Sequence, residues 1–174
     1  MIGKNIRHRW KLWLNNIKMA SRFDVLIEKA VTIKYTGSIT FGNKTTLQSG
    51  VYLYGSRRGK KVVIGDHVVI GMNGVILGEG GVDIGEGTHF GPNVVLTTQY
   101  ADRKATTDYS DTVLNYMPVS IGKGVWVGAG TVIMPGVVLG DFCTVAPNSV
   151  VFGKWGDNLS LIGNPAKKTE LLRK

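Results

Sequence analysis

The fold class this sequence predicts is an all-β solenoid, a stack of short parallel strands laid down in six-residue rungs. Three observations predict it. An aliphatic residue returns at every sixth position through Ile121, Val127, Ile133, Leu139, Val145 and Val151 without a slip. Glycine reaches 24 of 174 residues while 43% of the chain is hydrophobic, so the glycines mark frequent tight turns between apolar strands and not a disordered tract. A period of six matches neither the helical period of about 3.6 nor the strand period of about 2. Short strands joined by sharp corners, each stacked on the coil below, satisfy it.

Residues 1–30 read as an N-terminal amphipathic helix and lead-in. Ile6, Trp10, Trp13 and Ile17 fall on one stripe over residues 4–19, with Lys4, Lys11, Asn15 and Lys18 off it. Such a helix caps the open apolar end of a solenoid or lies on a membrane surface with its tryptophans at the interface. Both readings stand at this level.

The solenoid itself is expected over residues 31–166. Tyr35, Phe41, Leu47 and Leu53 keep the period, with Ile39, Thr45 and Val51 in the slot four residues on; Ile64, Ile70 and Ile76 follow, then Ile84, Phe90 and Leu96. In the last third that slot holds Val125, Thr131, Val137, Cys143 and Ser149, all small or β-branched. Both sets are expected to point inward, and three hexapeptides make one triangular coil. The period breaks at GSRRGKK before Ile64, at Gly78–Gly81, and over the long loop 97–118. Asn164-Pro165-Ala166 stops the last coil, leaving 167–174 as a short basic tail or helix.

Charge is the second signal. The net charge of +9 is concentrated in the first 22 residues, in the Arg57-Arg58-Lys60-Lys61 turn, and in the tail. Such clusters suit anionic partners: a membrane surface or a phosphorylated small molecule. Nucleic acid is not expected, because no recognition helix or aromatic-studded basic strand appears. The lone Cys143 makes no intramolecular disulfide, no run of 18 apolar residues is present, and the basic first residues are not expected to act as a secretory leader. A cytoplasmic protein is expected, at the inner face of the membrane if the helix docks there. His8, His67, His89 and Cys143 lack ligand spacing, so no metal site is expected.

The segment IGKGVWVGAGTVIMPGVVLGDFCTVAPNSVV followed by IGNPAKK closely resembles the hexapeptide-repeat acetyltransferases that modify sugars and polysaccharides. The resemblance runs from about Tyr35 to Lys168. It implies a left-handed parallel β-helix, a homotrimer, and acetyl-CoA bound in grooves between subunits. The hand comes from the resemblance alone, since the general rule for parallel crossovers favours the opposite one.

What the resemblance implies for individual residues follows. Gly128 and Ala129, with Ala146 and Pro147 one coil later, would line the pantetheine slot, where small residues let the ligand run along the backbone. Lys154 and Lys167 would meet the CoA phosphates. Trp126 would line the acceptor site. Asn73 stands one residue from where the family places an acceptor-binding asparagine. In the long loop Tyr100 offers an aromatic face for a sugar, and Glu79 or Asp102 could orient an acceptor.

The expected catalytic histidine at the head of that loop is absent: the stretch reads Leu96-Thr97-Thr98-Gln99-Tyr100-Ala101-Asp102. Three accounts remain open. His89 serves as base; or the acceptor is an amine needing little help, with Asp102 or Glu79 orienting it; or catalysis has been lost. An ordinary carboxylate near pKa 4 is a poor base at neutral pH, so Asp102 would need burial to act.

The expected function is transfer of an acetyl group from acetyl-CoA to a sugar hydroxyl in bacterial surface-polysaccharide synthesis. The alternatives are N-acetylation of a nucleotide-linked amino-sugar and an inactive β-helix serving as an assembly or membrane-binding module. A lipid-linked sugar is a further acceptor class, and no metal is required.

Overall fold

The computed structural model describes residues 24–102 and 113–170. The proposed N-terminal helix over 4–19 lies outside the described residues. The chain winds as a parallel β-helix with three faces. The first face stacks Leu26–Ile27, Thr46–Leu47, Val69–Ile70, His89–Phe90, Trp126–Val127, Thr144–Val145 and Ser160–Gly163. The second stacks Thr32–Lys34, Tyr52–Tyr54, Val75–Leu77, Val95–Thr97, Val132–Ile133 and Val150–Val151. The third stacks Ile39–Phe41, Val62–Ile64, Val82–Ile84, Val119–Ile121, Val138–Leu139 and Lys154–Trp155. Among the described residues the first rung is Leu26–Ile27.

Hydrogen bonds run from coil to coil. Gly71 donates its N–H to Phe90, Gly91 to Val127, and Gly128 to Val145, at 2.8–2.9 Å. One inward residue per rung fills the interior: Leu47, Leu53, Ile64, Ile70, Leu96, Val127, Ile133 and Val145 are all essentially inaccessible. The slot four residues on is equally buried at Thr45, Val51, Val125, Thr131, Val137, Cys143 and Ser149. Thr45 and Thr131 satisfy their hydroxyls on corner carbonyls, of Gly65 at 3.0 Å and of Ala146 at 3.2 Å.

Tyr35 departs from the period. It was expected inside, but it is 44% exposed, and Ile33 fills the interior of its rung at 2%. Tyr35 sits at a corner with φ 56 and ψ 49. Its ring leans outward, edge-on to Tyr54 at 4.8 Å.

The corners explain the small and polar residues. Between the first and second faces, Gly50, Asn73, Asn93, Gly130 and Asn148 form one column of left-handed residues, a conformation that glycine and asparagine adopt at least cost. At Gly128 a Cβ would collide with the backbone nitrogen of Pro147 one coil later, so this corner closes only on glycine. Between the third and first faces, aspartates close the turns. Asp66 accepts from the Asn43 N–H at 2.7 Å, and Asp141 from the Lys123 N–H at 2.8 Å.

The long loop leaves the corner between the second and third faces as an antiparallel hairpin, Gln99–Asp102 against Val113–Tyr116. Thr98, fully buried, anchors its base: its hydroxyl donates to the Leu77 carbonyl at 2.7 Å and accepts the Gly80 N–H at 2.8 Å. The tail begins as strand and not as helix, since Ala166–Lys168 folds back antiparallel on Leu161–Gly163. The last coil is also two residues shorter than the one before it, pairing Val145 with Leu161.

Ile133, fully buried between Leu96 and Val151, tests the stack. Ile133→Ala is expected to lower unfolding free energy by about 2–5 kcal/mol. Urea denaturation checks it, with Val63→Thr at an outward position of the third face as a control that changes little.

Candidate active site

The sequence-predicted residues separate into two groups and a remainder. The first group lines the first face and its corner with the second. His89 stands in register with Val69 on one side and Trp126 on the other. The imidazole and indole stack at 4.5 Å between centroids with 13° between planes. His89 is half-buried and Trp126 is 53% exposed, so the pair forms an aromatic step on the outer surface.

Two residues beyond His89, Trp126 and Thr144, the chain turns the corner through a column of small residues: Gly91, Gly128 and Ala146. Gly91 lies against Ala129, whose nitrogen would be 2.8 Å from a Cβ placed there. Gly128 lies beneath Pro147, while Ala129 is half-buried and Pro147 exposed. The structure thus brings His89, Trp126, Gly128, Ala129, Ala146 and Pro147 to one edge of the solenoid. Asn73 belongs to the same corner two coils earlier. It is a left-handed turn residue whose amide oxygen sits over Gly50, just as that of Asn148 sits over Gly130. Lys167 is exposed in the strand that ends this sheet.

The second group stands at the corner between the second and third faces. Glu79 is 2% exposed. Its carboxylate faces the guanidinium groups of Arg57 and Arg58 at 3.7 and 3.8 Å and accepts the Arg57 N–H at 3.3 Å. Burying a carboxylate requires such partners. Tyr100 and Asp102 are exposed on the hairpin strand above, paired with Asn115 and Val113. Asp102 is open to solvent in the single protomer. Lys154 belongs to neither group: it is exposed on the third face, beside Val138.

Sequence reasoning missed three features of the second corner. The buried Glu79 under two arginines is one, and Thr98 beneath the hairpin is another. The third is the Arg58 guanidinium lying over the Tyr116 ring at 4.4 Å. Each joins residues that are distant in the chain, so no local pattern carried them. Among the described residues no group of three or more His, Cys, Asp or Glu is placed to hold a metal ion.

Two repeat families match this chain. The signature described as Bacterial transferase hexapeptide (six repeats) covers residues 118–153, and that described as Hexapeptide repeat of succinyl-transferase covers residues 61–98. Both are hexapeptide-repeat signatures, and this chain is similar to the transferases that carry them.

Among similar proteins, nodulation protein L of Rhizobium meliloti is 38% identical over 110 residues, 63% of this chain and 59% of its own length. The galactoside O-acetyltransferase of Lactococcus lactis is 29% identical over 113 residues, 64% of this chain and 54% of its own. The chain thus spans little more than half the length of these curated relatives. Among solved structures, AntD, an N-acyltransferase from Bacillus cereus in complex with dTDP and 3-hydroxybutyryl-CoA, superposes with a TM-score of 0.74 at 25% identity. That match covers 84% of this chain and 79% of the other.

The aromatic step is testable without substrate. A double-mutant cycle of His89→Ala and Trp126→Ala, read by urea unfolding, is expected to give a coupling of about 0.5–1.5 kcal/mol. A coupling of zero would mean that the two rings do not stack in solution.

Proposed function

We propose that this protein transfers an acetyl group from acetyl-CoA to a sugar hydroxyl, in the building of a bacterial surface polysaccharide. The observation that carries the reading is the single edge at which the small-residue corner, Gly128-Ala129 beneath Ala146-Pro147, adjoins the stacked pair His89 and Trp126. A pantetheine arm needs a narrow apolar track with backbone polar groups in reach, and this corner offers one. Lys167, on the same sheet, supplies positive charge toward the CoA phosphates. A sugar acceptor needs a flat apolar surface, and the Trp126 face offers it.

In this reading His89 is the base. Histidine is the side chain whose ordinary titration range lies nearest neutral pH. The imidazole takes the proton of the acceptor hydroxyl as its oxygen attacks the thioester carbonyl. The C–S bond then breaks, and the imidazolium returns the proton to the departing CoA thiolate. Asp102 and Glu79, on a different corner, are left to acceptor positioning and not to proton transfer.

The same reading takes the coil to be left-handed and the working unit to be a homotrimer. The two groups of candidate residues occupy different corners of one protomer, so grooves between protomers are where they could meet. Support comes from the outer side of the second face, where Val75, Val95, Val132 and Val150 align in register as an apolar stripe. A half-buried apolar stripe of this kind suits a protein interface.

A second reading, N-acetylation of a nucleotide-linked amino-sugar, is favoured by one specific observation. The head of the long loop carries no histidine, and an amine nucleophile needs less help from a base. The likeness to AntD, whose bound ligands are dTDP and an acyl-CoA, points the same way.

The test is release of CoA thiol from acetyl-CoA with hydroxyl-sugar and amino-sugar acceptors in parallel. Faster turnover with hydroxyl acceptors is expected; preference for amines moves the assignment to the second reading, and no release with either ends both. His89→Ala is expected to lower kcat by about 100-fold or more, and unchanged turnover removes His89 from the mechanism. Ala129→Phe, which fills the corner, is expected to raise KM for acetyl-CoA by about tenfold with little change in kcat, a loss of about 1.4 kcal/mol of binding. An unchanged KM would place the thioester elsewhere.

A further inference from the structure

The Arg57–Lys61 turn is more ordered than a solvated basic loop needs to be. Ser56, 6% exposed, holds it from inside: its hydroxyl donates to the Glu79 carbonyl at 2.9 Å and accepts the N–H groups of Arg58 and Lys60 at 3.1 and 3.3 Å. The Ser56 N–H in turn donates to the Ser38 hydroxyl at 2.7 Å. Glu79 lies beneath the two arginines, and yet 60% of each arginine side chain is exposed. The buried carboxylate thus aims both guanidinium groups outward from a fixed backbone. Two further cations, Lys60 and Lys61, follow in the same turn, and among the described residues neither makes an ion pair.

Aromatic rings flank the turn. Tyr35, Tyr52 and Tyr54 form a contiguous wall, with 4.8 Å between the Tyr35 and Tyr54 centroids and 6.4 Å between those of Tyr52 and Tyr54. Arg57 lies 5.8 Å from the Tyr35 centroid, and Arg58 4.4 Å from that of Tyr116 at the hairpin base. Desolvation first, then the hydrogen bond with Tyr35, raise the Tyr54 phenol above the ordinary tyrosine value, so it stays neutral. Tyr35 keeps a left-handed backbone, with φ 56, which costs a large side chain of order 1–3 kcal/mol. The interior gains nothing from its ring, which is 44% exposed.

We propose that this corner binds the nucleoside diphosphate of an activated sugar, with Arg57 and Arg58 clasping the two phosphates and the Tyr35–Tyr54 wall stacking the base. Guanidinium forks match phosphate oxygens two at a time, and a preorganised turn binds without the entropic cost of ordering it. A flat phenol stacks on any base and gains nothing from a bare phosphate. The inference deepens the proposed function and rests on its assignment of this corner to the acceptor. The sugar would be modified while still carried on its nucleotide.

The experiment is calorimetric titration of the full-length protein with UDP, dTDP, UMP and inorganic pyrophosphate, with no acetyl-CoA present. Failure here is therefore separate from failure of acetyl transfer, which thiol release reads. Expected is binding of a nucleoside diphosphate at least about tenfold tighter than of UMP or pyrophosphate. Arg57→Gln with Arg58→Gln is expected to weaken it by about tenfold or more. Lys60→Gln with Lys61→Gln touches no ion pair among the described residues, and it should weaken binding about two- to fivefold. Tyr35→Asn tolerates the left-handed backbone and should weaken the nucleotide while leaving pyrophosphate unchanged. No binding of either diphosphate, or equal affinity in the arginine and lysine variants, overturns the site. Pyrophosphate bound as tightly as UDP and dTDP overturns the nucleoside assignment.

Discussion

Every feature of this molecule depends on one constraint: each coil is finished by the coils above and below it. A rung of two or three residues cannot satisfy its own backbone or bury its own apolar side chain. It does both through its neighbours, as when Gly91 donates to Val127 and Gly128 to Val145 while Phe90, Val127 and Val145 stack in the interior. The corners inherit the constraint. A coil spacing too close for a Cβ at Gly128 makes glycine obligatory there.

From this comes the distribution of chemistry. The interior is closed, so polar and aromatic residues can act only from outer strand positions, corners and insertions. His89 and Trp126 use outer positions of two successive coils, which places their rings face to face. The hairpin and the Arg57–Lys61 turn are insertions at a different corner. A single protomer therefore carries its candidate groups on separate edges, and a shared groove between copies is the arrangement that could use both.

The insertions are tied together by polar residues where the coil stack has none to spare. Thr98 secures the hairpin base to Gly80, and Glu79, in the adjacent position, secures the arginines. The GEGG break in the repeat is therefore a small polar hub under both insertions. Its cost is a buried carboxylate, offset by two guanidinium groups and a backbone N–H.

The sequence by itself determined the rungs. The unbroken period from Ile121 to Val151, its earlier phases and the small slots identify the interior residues, because a repeating coil imposes the same burial at every sixth position whatever lies around it. The period misled at Tyr35, where the chain enters a left-handed corner and Ile33 takes the inner place. The tail's first residues likewise form a strand, since Ala166–Lys168 finds the open edge at Leu161–Gly163. Only the tertiary structure decided which coil faces which. That decided that His89 meets Trp126, that Glu79 lies beneath Arg57 and Arg58, and that Asp102 is left to solvent. The insertions of unequal length between Leu53 and Ile64 and between Leu96 and Ile121 set these pairings. The stacking register they produce is a property of the whole coil, which no local stretch of sequence contains.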